Sequence, residues 1–136
     1  MIRELSEKDI KEIERLISLI QDKAIMEKVR AEGNEKRFAY KGFECVILRC
    51  GVHLCGYIGI PKGHKYYGKD YNYIDANVDV HGGLTYAQED NGIWVIGFDC
   101  AHYGDYTGFS ILGSDGTYKN MEYVEKQIKN LVRQIS

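Results

Sequence analysis

The sequence has one proline, Pro61, one tryptophan, Trp94, and no long run of apolar residues. No stretch approaches the ~18 consecutive apolar residues of a membrane span, so no membrane partner is expected. The opening MIRELSEKDI lacks the apolar centre of a secretory signal. Basic charge is not in excess: 18 lysines and arginines stand against 20 acids, a formal net charge of −2. A long nucleic acid is therefore not the expected partner. Cysteine is sparse, at positions 45, 50, 55 and 100, with no CxxC pair, which argues against a structural zinc site. Thiols without a signal peptide suit a reducing interior, and the cytoplasm is the expected location. Internal repeats and breaks in composition are absent too. The 136 residues read as one domain, 1–136, long enough to bury a core.

What the sequence does have is concentrated in its middle. Residues 56–105 hold three of the four histidines, the proline, the tryptophan and seven of the eleven tyrosines. Between residues 51 and 118, eight acids stand against three lysines, Lys62, Lys65 and Lys69, a local balance of −5. Such a region repels a long polyanion but leaves room for one small anion near the lysines.

Ile10, Ile13, Leu16, Ile17, Ile20, Ala24 and Val29 recur mostly at three- and four-residue spacing, which predicts one amphipathic helix over 6–32. Ser6 is its candidate N-cap, with Asp9 three residues on, and Gly33-Asn34 is its stop. The apolar stripe can lie on a sheet or meet a partner protein. Phe43–Cys50 (FECVILRC) and His53–Ile60 read as two strands joined by a tight turn at Gly51, an antiparallel hairpin. Residues 61–76 form a long aromatic loop, and loops of that length are often functional. Segments 77–80 and 84–87 flank His81-Gly82-Gly83, whose glycines predict a tight turn or a close backbone approach. Residues 88–92 read as a polar turn, 93–98 (IWVIGF) as a buried strand and 99–117 as a second long loop. Asn120 caps a closing helix with the stripe Val124, Ile128, Leu131, Val132 and Ile135. Lys126, Lys129 and Arg133 lie toward its C-terminus, where cations suit the dipole. The predicted fold is α+β: an antiparallel sheet of about five strands with an N-terminal and a C-terminal helix packed on it, both on one face.

Three sets of residues can carry chemistry. In the first, Asp99, His102 and Asp105 follow a buried strand, where a rigid scaffold can hold loop side chains. A carboxylate beside an imidazole orients it and brings its pKa toward working pH. With His81 these residues can form an acid–base pair or ligate a divalent metal through nitrogen and oxygen. Alternatively, Asp99 and Asp105 cap turns and His102 meets a backbone carbonyl. The second set is VHGGLTY, where paired glycines let a ligand approach backbone amides beside His81 and Tyr86. No Lys-Ser/Thr follows, so the run is not a phosphate loop; a hairpin turn is the alternative. In the third set, His64, Lys65, Tyr67, Lys69 and Tyr71 offer rings to stack a planar base and charges to meet a phosphate. The alternative is that the tyrosines pack over the sheet edge and the lysines are solvated. Cys100 lies within the first set, but no nucleophile signature surrounds it. The turn at Gly51 leaves Cys50 and Cys55 unplaced relative to each other.

The motifs GYIGIPKGH, YYGKDYN, VHGGLTY and GFDCAHYGD, within a span of roughly 43–133, together resemble the signature of a family of small uncharacterised phage and prophage proteins. The closing GTYKNMEYVEKQIKNL is similar to that family's tail. The resemblance brings no established activity. It implies a phage setting, and with it the cytoplasm of a host cell. Small phage proteins include sponges that bind immune signalling nucleotides and hide them from host effectors. The expected function is accordingly sequestration of a small nucleotide-like ligand, as an anti-defence sponge, in a pocket built by the two long loops. Tyr67, Tyr71 and Trp94 would stack. His64, Lys65 and Lys69 would meet phosphate. His81, Asp99 and His102 would contact ribose hydroxyls, with Tyr86 and Asp105 beside them. No cofactor or resident metal is expected, and a homo-oligomer is. The alternatives are a hydrolase built on His81, Asp99, His102 and Asp105, with or without a metal, and an inhibitor that binds a host protein through the tyrosine loop and the first helix.

Overall fold

The computed structural model describes residues 1–108 and 116–136; of the second predicted loop, 99–117, the segment 109–115 lies outside the described residues. Ser6 caps α1 (Glu7–Ser18) with a capping box: its hydroxyl accepts from Asp9 N and Asp9 Oδ2 accepts from Ser6 N, each at 3.0 Å. The helix does not continue to residue 32, as the apolar spacing predicts. It stops at Leu19, and α2 (Lys23–Glu32) starts anew. Asp22 is the reason. Its carboxylate accepts from Ala24 N and Ile25 N, a second N-cap set inside the apolar pattern, and a cap residue has non-helical backbone. Ile20 still turns inward, at 4% exposure, so the stripe survives the break.

β1 (Glu35–Tyr40), β2 (Phe43–Cys50), β3 (His53–Ile60), β4 (Tyr86–Asp90) and β5 (Ile93–Asp99) form one antiparallel sheet in the order β1-β2-β3-β5-β4. The β2–β3 hairpin and β5 follow the sequence pattern. β1 is an addition to it: EKRFAY shows no clean alternation, and it sits at an edge, where charged side chains discourage further pairing. β4 absorbs most of the predicted polar turn. The reversal is made by Asn91-Gly92 alone, with φ of +53° and +79°, and Asn-Gly is the pair best suited to such a turn. Segment 77–80 forms no strand, and the aromatic loop contains one helical turn, α3 (Tyr71–Asp75), capped by Asp70.

α4 (Met121–Ile135), capped by Asn120, lies across β2 and β3. Val124, Ile128, Leu131, Val132 and Ile135 pack with Cys45, Ile47, Leu54, Ile58, Ile96 and Phe98, and Tyr66, Ile74, Val80 and Leu84 close the side of that core. The other face of the sheet carries Val46, Leu48 and Val95 and is covered by Ile2 and Leu5. Ile13, Ile17, Ile20 and Val29 instead enclose Val52, at the β2–β3 turn. The N-terminal helices thus pack at the hairpin end of the sheet and not beside α4, which corrects the expectation of two helices on one face. α4 and the aromatic loop already fill that face, and the α1 stripe finds its apolar partner in Val52.

One charged side chain is buried at this junction. Arg49 on β2 is 1% exposed. Its guanidinium donates to Asn34 Oδ1, Val52 O, Tyr118 Oη, Val29 O and Gly33 O, which uses every N–H it has. Tyr118 Oη donates to Glu32 at 2.6 Å, and Glu32 accepts from Met121 N at 2.8 Å. One side chain therefore ties the end of α2, the β2–β3 turn and, through Tyr118 and Glu32, the start of α4. A buried charge is tolerable only when satisfied in this way. Among the described residues, no helix is long and apolar enough to cross a membrane.

Candidate functional site

Asp105 is the fixed point of the site. It lies past the end of β5, 6% exposed, where Tyr106 N donates to Thr117 O and Thr117 N to Gly104 O. Its Oδ2 accepts from His81 Nε2 at 2.8 Å and from the His102 backbone N–H at 3.1 Å, while Oδ1 faces Lys119 Nζ at 3.2 Å. Burial by itself raises the carboxyl pKa; the bonds from His81, His102 and Lys119 outweigh it and hold Asp105 below the usual aspartate value. An ionised carboxylate only accepts, so the neutral His81 ring carries its proton on Nε2. Nδ1 is then the acceptor, and Tyr123 Oη donates to it at 2.7 Å. The two rings stand at 90°, with centroids 5.3 Å apart. Hydroxyl, imidazole and carboxylate make a chain, Tyr123–His81–Asp105, along which a proton can pass.

Uncharged polar side chains of α4 hold the His81 segment. Gln127 Oε1 accepts from His81 N at 3.0 Å. Gln134 grips Asp79 as a neighbouring strand would, accepting from its N and donating to its O, both at 2.7 Å. Tyr123, Gln127, Asn130 and Gln134 recur at three- and four-residue spacing and so share one side of the helix.

Gly82 has φ +67°, and a side chain there would run into the His102 ring. The close backbone approach that the glycines predict is therefore real, and its partner is His102. The His81 and His102 ring centroids are 6.1 Å apart. His102 Nε2 lies 3.1 Å from Asp99 Oδ1, which brings the predicted pair together. That nitrogen is nevertheless buried and has no aligned hydrogen bond among the described residues. The Asp99 carboxylate instead accepts from Thr85 Oγ1 at 2.9 Å and Ala101 N at 3.1 Å. Beside this cluster, Asp79, His81, Gly82, Tyr123, Gln127 and Asn130 line an open, polar groove of about 310 Å³, at the lower end of the ~300–1,000 Å³ of small-ligand sites.

The other predicted residues do not reach this groove. His64 Nδ1 accepts from Tyr66 N at 3.0 Å, so Nε2 carries the proton and donates to Ile135 O, at the end of α4, at 2.8 Å. Both nitrogens serve the backbone. The Tyr67 and Trp94 rings lie 6.5 Å apart, and Trp94 Nε1 donates to Lys69 O at 3.1 Å. Tyr67, Tyr71 and Trp94 pack against the core. The Lys65 and Lys69 ammonium groups sit over Tyr66 and Tyr73 at 5.1 and 5.5 Å. Tyr86 is on the opposite face, edge-on to Tyr57 at 5.4 Å. Trp94 and Asp99 mark the two ends of β5, roughly 16 Å apart at the usual rise of a strand. The single pocket expected from both loops is thus corrected to two separate regions, with Tyr86 in neither. A cavity of about 280 Å³ near Tyr67, lined also by Glu44, Gly59, Ile60, Pro61 and Lys62, belongs to the second region.

Tyr123, Lys119, Gln127 and Asn130 were not singled out by the sequence motifs. The signal for three of them was present: an uncharged polar stripe on a helix whose other exposed positions include Glu122, Lys126 and Arg133. Among the described residues, no group of three or more His, Cys, Asp or Glu side chains is arranged to hold a metal ion. No family model, no curated protein and no solved structure matches this chain.

Proposed function

We propose that this chain binds a small polar ligand, of the class presented by the ribose of a nucleotide, in the groove over Tyr123, His81 and Asn130. One observation carries the reading: Asp79, Gln127, Asn130 and the Tyr123–His81 pair line a single groove, beside a histidine fixed by the buried Asp105. Carboxylate, amide and hydroxyl groups complement the alternating donors and acceptors of a polyol. The resemblance to small phage proteins makes an anti-defence sponge for a signalling nucleotide the biological form of the proposal. Isothermal titration with cyclic ADP-ribose, cyclic dinucleotides and simple ribonucleotides tests it. Affinity should fall about tenfold in Asn130→Ala and Tyr123→Phe, the loss of about 1.4 kcal/mol, and stay unchanged in Lys65→Ala and Tyr67→Ala. No binding by any of these ligands, or loss confined to the Lys65 and Tyr67 variants, would end the reading.

A hydrolase is the second reading, favoured by the Tyr123–His81–Asp105 chain. A hydroxyl, a base and an orienting carboxylate are the parts of an acid–base relay. Mass spectrometry of the recovered ligand separates the two. An unchanged ligand supports sequestration; a cleaved ligand, intact with Tyr123→Phe, supports hydrolysis.

A further inference from the structure

One pair of side chains belongs to neither region. In the β2–β3 ladder Cys50 lies opposite His53 and Leu48 opposite Cys55. Cys50 and Cys55 therefore share a face, one diagonal step apart, at the hairpin end. Tyr57 is on the same face, its Oη 3.9 Å from Cys50 Sγ. Cys55 is 5% exposed, whereas Cys50 is only partly buried.

The four cysteines divide accordingly. Burial pushes the Cys45 thiol up to about 11 and the Cys100 thiol up to about 12. Cys50 moves the other way: the neighbouring Cys55 thiol leads, and Tyr57 and the positive charge of Arg3 add to it against burial and the Asp99 carboxylate. A partly exposed thiol of lowered pKa beside a buried second thiol is the arrangement of a reacting and a resolving cysteine.

We propose that Cys50 and Cys55 form a redox modification site at which hydrogen peroxide writes a reversible disulfide. The Cys50 thiolate attacks one peroxide oxygen. The S–O bond forms, the O–O bond breaks, and the departing hydroxide takes up a proton to leave as water. Cys55 then attacks the Cys50 sulfenic acid. The S–S bond forms, the S–O bond breaks, and the second water leaves with the Cys55 proton. Each sulfur has lost one electron and the peroxide has gained two. Diagonal positions lie about 7–8 Å apart between Cα atoms, beyond the ~4.4–6.8 Å usual for a disulfide. Closing the bond must draw the hairpin end together, and a strained disulfide is readily reduced again. The bridge is therefore a modification and not a structural staple.

The full-length chain is treated with hydrogen peroxide, alkylated and mapped by mass spectrometry. The expected product is one internal disulfide joining Cys50 to Cys55, reversed by dithiothreitol, with Cys45 and Cys100 still alkylatable after unfolding. Before oxidation, Cys50 should react with iodoacetamide about tenfold faster than Cys45 or Cys100, following thiolate fraction. Cys55→Ala should halt the reaction at a Cys50 sulfenic acid that dimedone captures. Oxidation of Cys50 no faster than Cys45, or a Cys50 sulfenic acid that persists with Cys55 present, would overturn the proposal. The wild-type map decides the matter even where a cysteine variant fails to fold.

Discussion

His64 and His81 stand at opposite ends of α4, and each has both ring nitrogens engaged. Their partners differ. His64 accepts from a backbone N–H and donates to a backbone carbonyl, Tyr66 N and Ile135 O. Neither partner titrates, so the ring closes the end of α4 and joins it to the aromatic loop. His81 lies between a phenol and a carboxylate, Tyr123 Oη and Asp105 Oδ2. Both of those partners can exchange protons, and Tyr123 borders an open groove. The lesson is that a histidine's role is set by what its two nitrogens meet, which spacing along the chain does not reveal.

The contrast breaks most severely at Asp105. Asp105→Ala leaves the His81 N–H, the His102 N–H and the Lys119 ammonium without their shared acceptor, so it should cost about 3 kcal/mol in urea unfolding. The same carboxylate sets an acid limit. Its folded pKa lies below the ordinary 3.8, so the unfolded chain takes up the proton first as pH falls. The stability it contributes is complete above about 3.8 and is lost as pH drops through the lower folded value. The denaturation midpoint of the wild type should therefore fall more steeply across that window than that of Asp105→Asn.

Gly82→Ala sharpens the comparison next. The new methyl meets the His102 ring at a backbone angle that L-residues avoid, which should cost about 2 kcal/mol. Removing the ring, as His102→Ala, should return part of it, so the double variant is less unstable than the sum of the two. Strict additivity would show that the ring and the glycine do not press on each other. The smallest effect belongs to His64. His64→Ala removes two bonds between neutral groups and should cost about 1–2 kcal/mol. Hydrogen exchange should quicken at the end of α4, while nucleotide affinity in the groove stays the same. A changed affinity would mean that the two regions are coupled.

Several particulars were legible in the residues. The FECVILRC strand, the IWVIGF strand, the Ser6 and Asn120 caps and the apolar stripe of α4 follow from local periodicity and capping chemistry. The helix break at Asp22 was legible too, since an aspartate followed by Lys-Ala-Ile can cap a new helix. The longer apolar spacing masked it, because Ile20 and Val29 stay inward on both sides of the break. β1 was not legible, because an edge strand need bury little and EKRFAY keeps Glu35 and Lys36 exposed and Arg37 only half-buried. In the candidate site, His81, Asp99, His102 and Asp105 were legible as residue types that titrate. Tyr123 was not, because it reads as one more position of an amphipathic helix.

The sequence by itself determined the β2–β3 hairpin, β5, the capped start of α1 and α4, since caps, turn pairs and apolar spacing act over a few residues. It also marked the middle of the chain as the place where titratable side chains gather. Only the tertiary structure decided that His81 would meet Asp105, 24 residues on, and Tyr123, 42 residues on, and that the tyrosine loop would go to the far end of β5. Those choices follow from how α4 crosses the sheet. The packing of its apolar stripe fixes that crossing, and with it which distant polar groups share a groove.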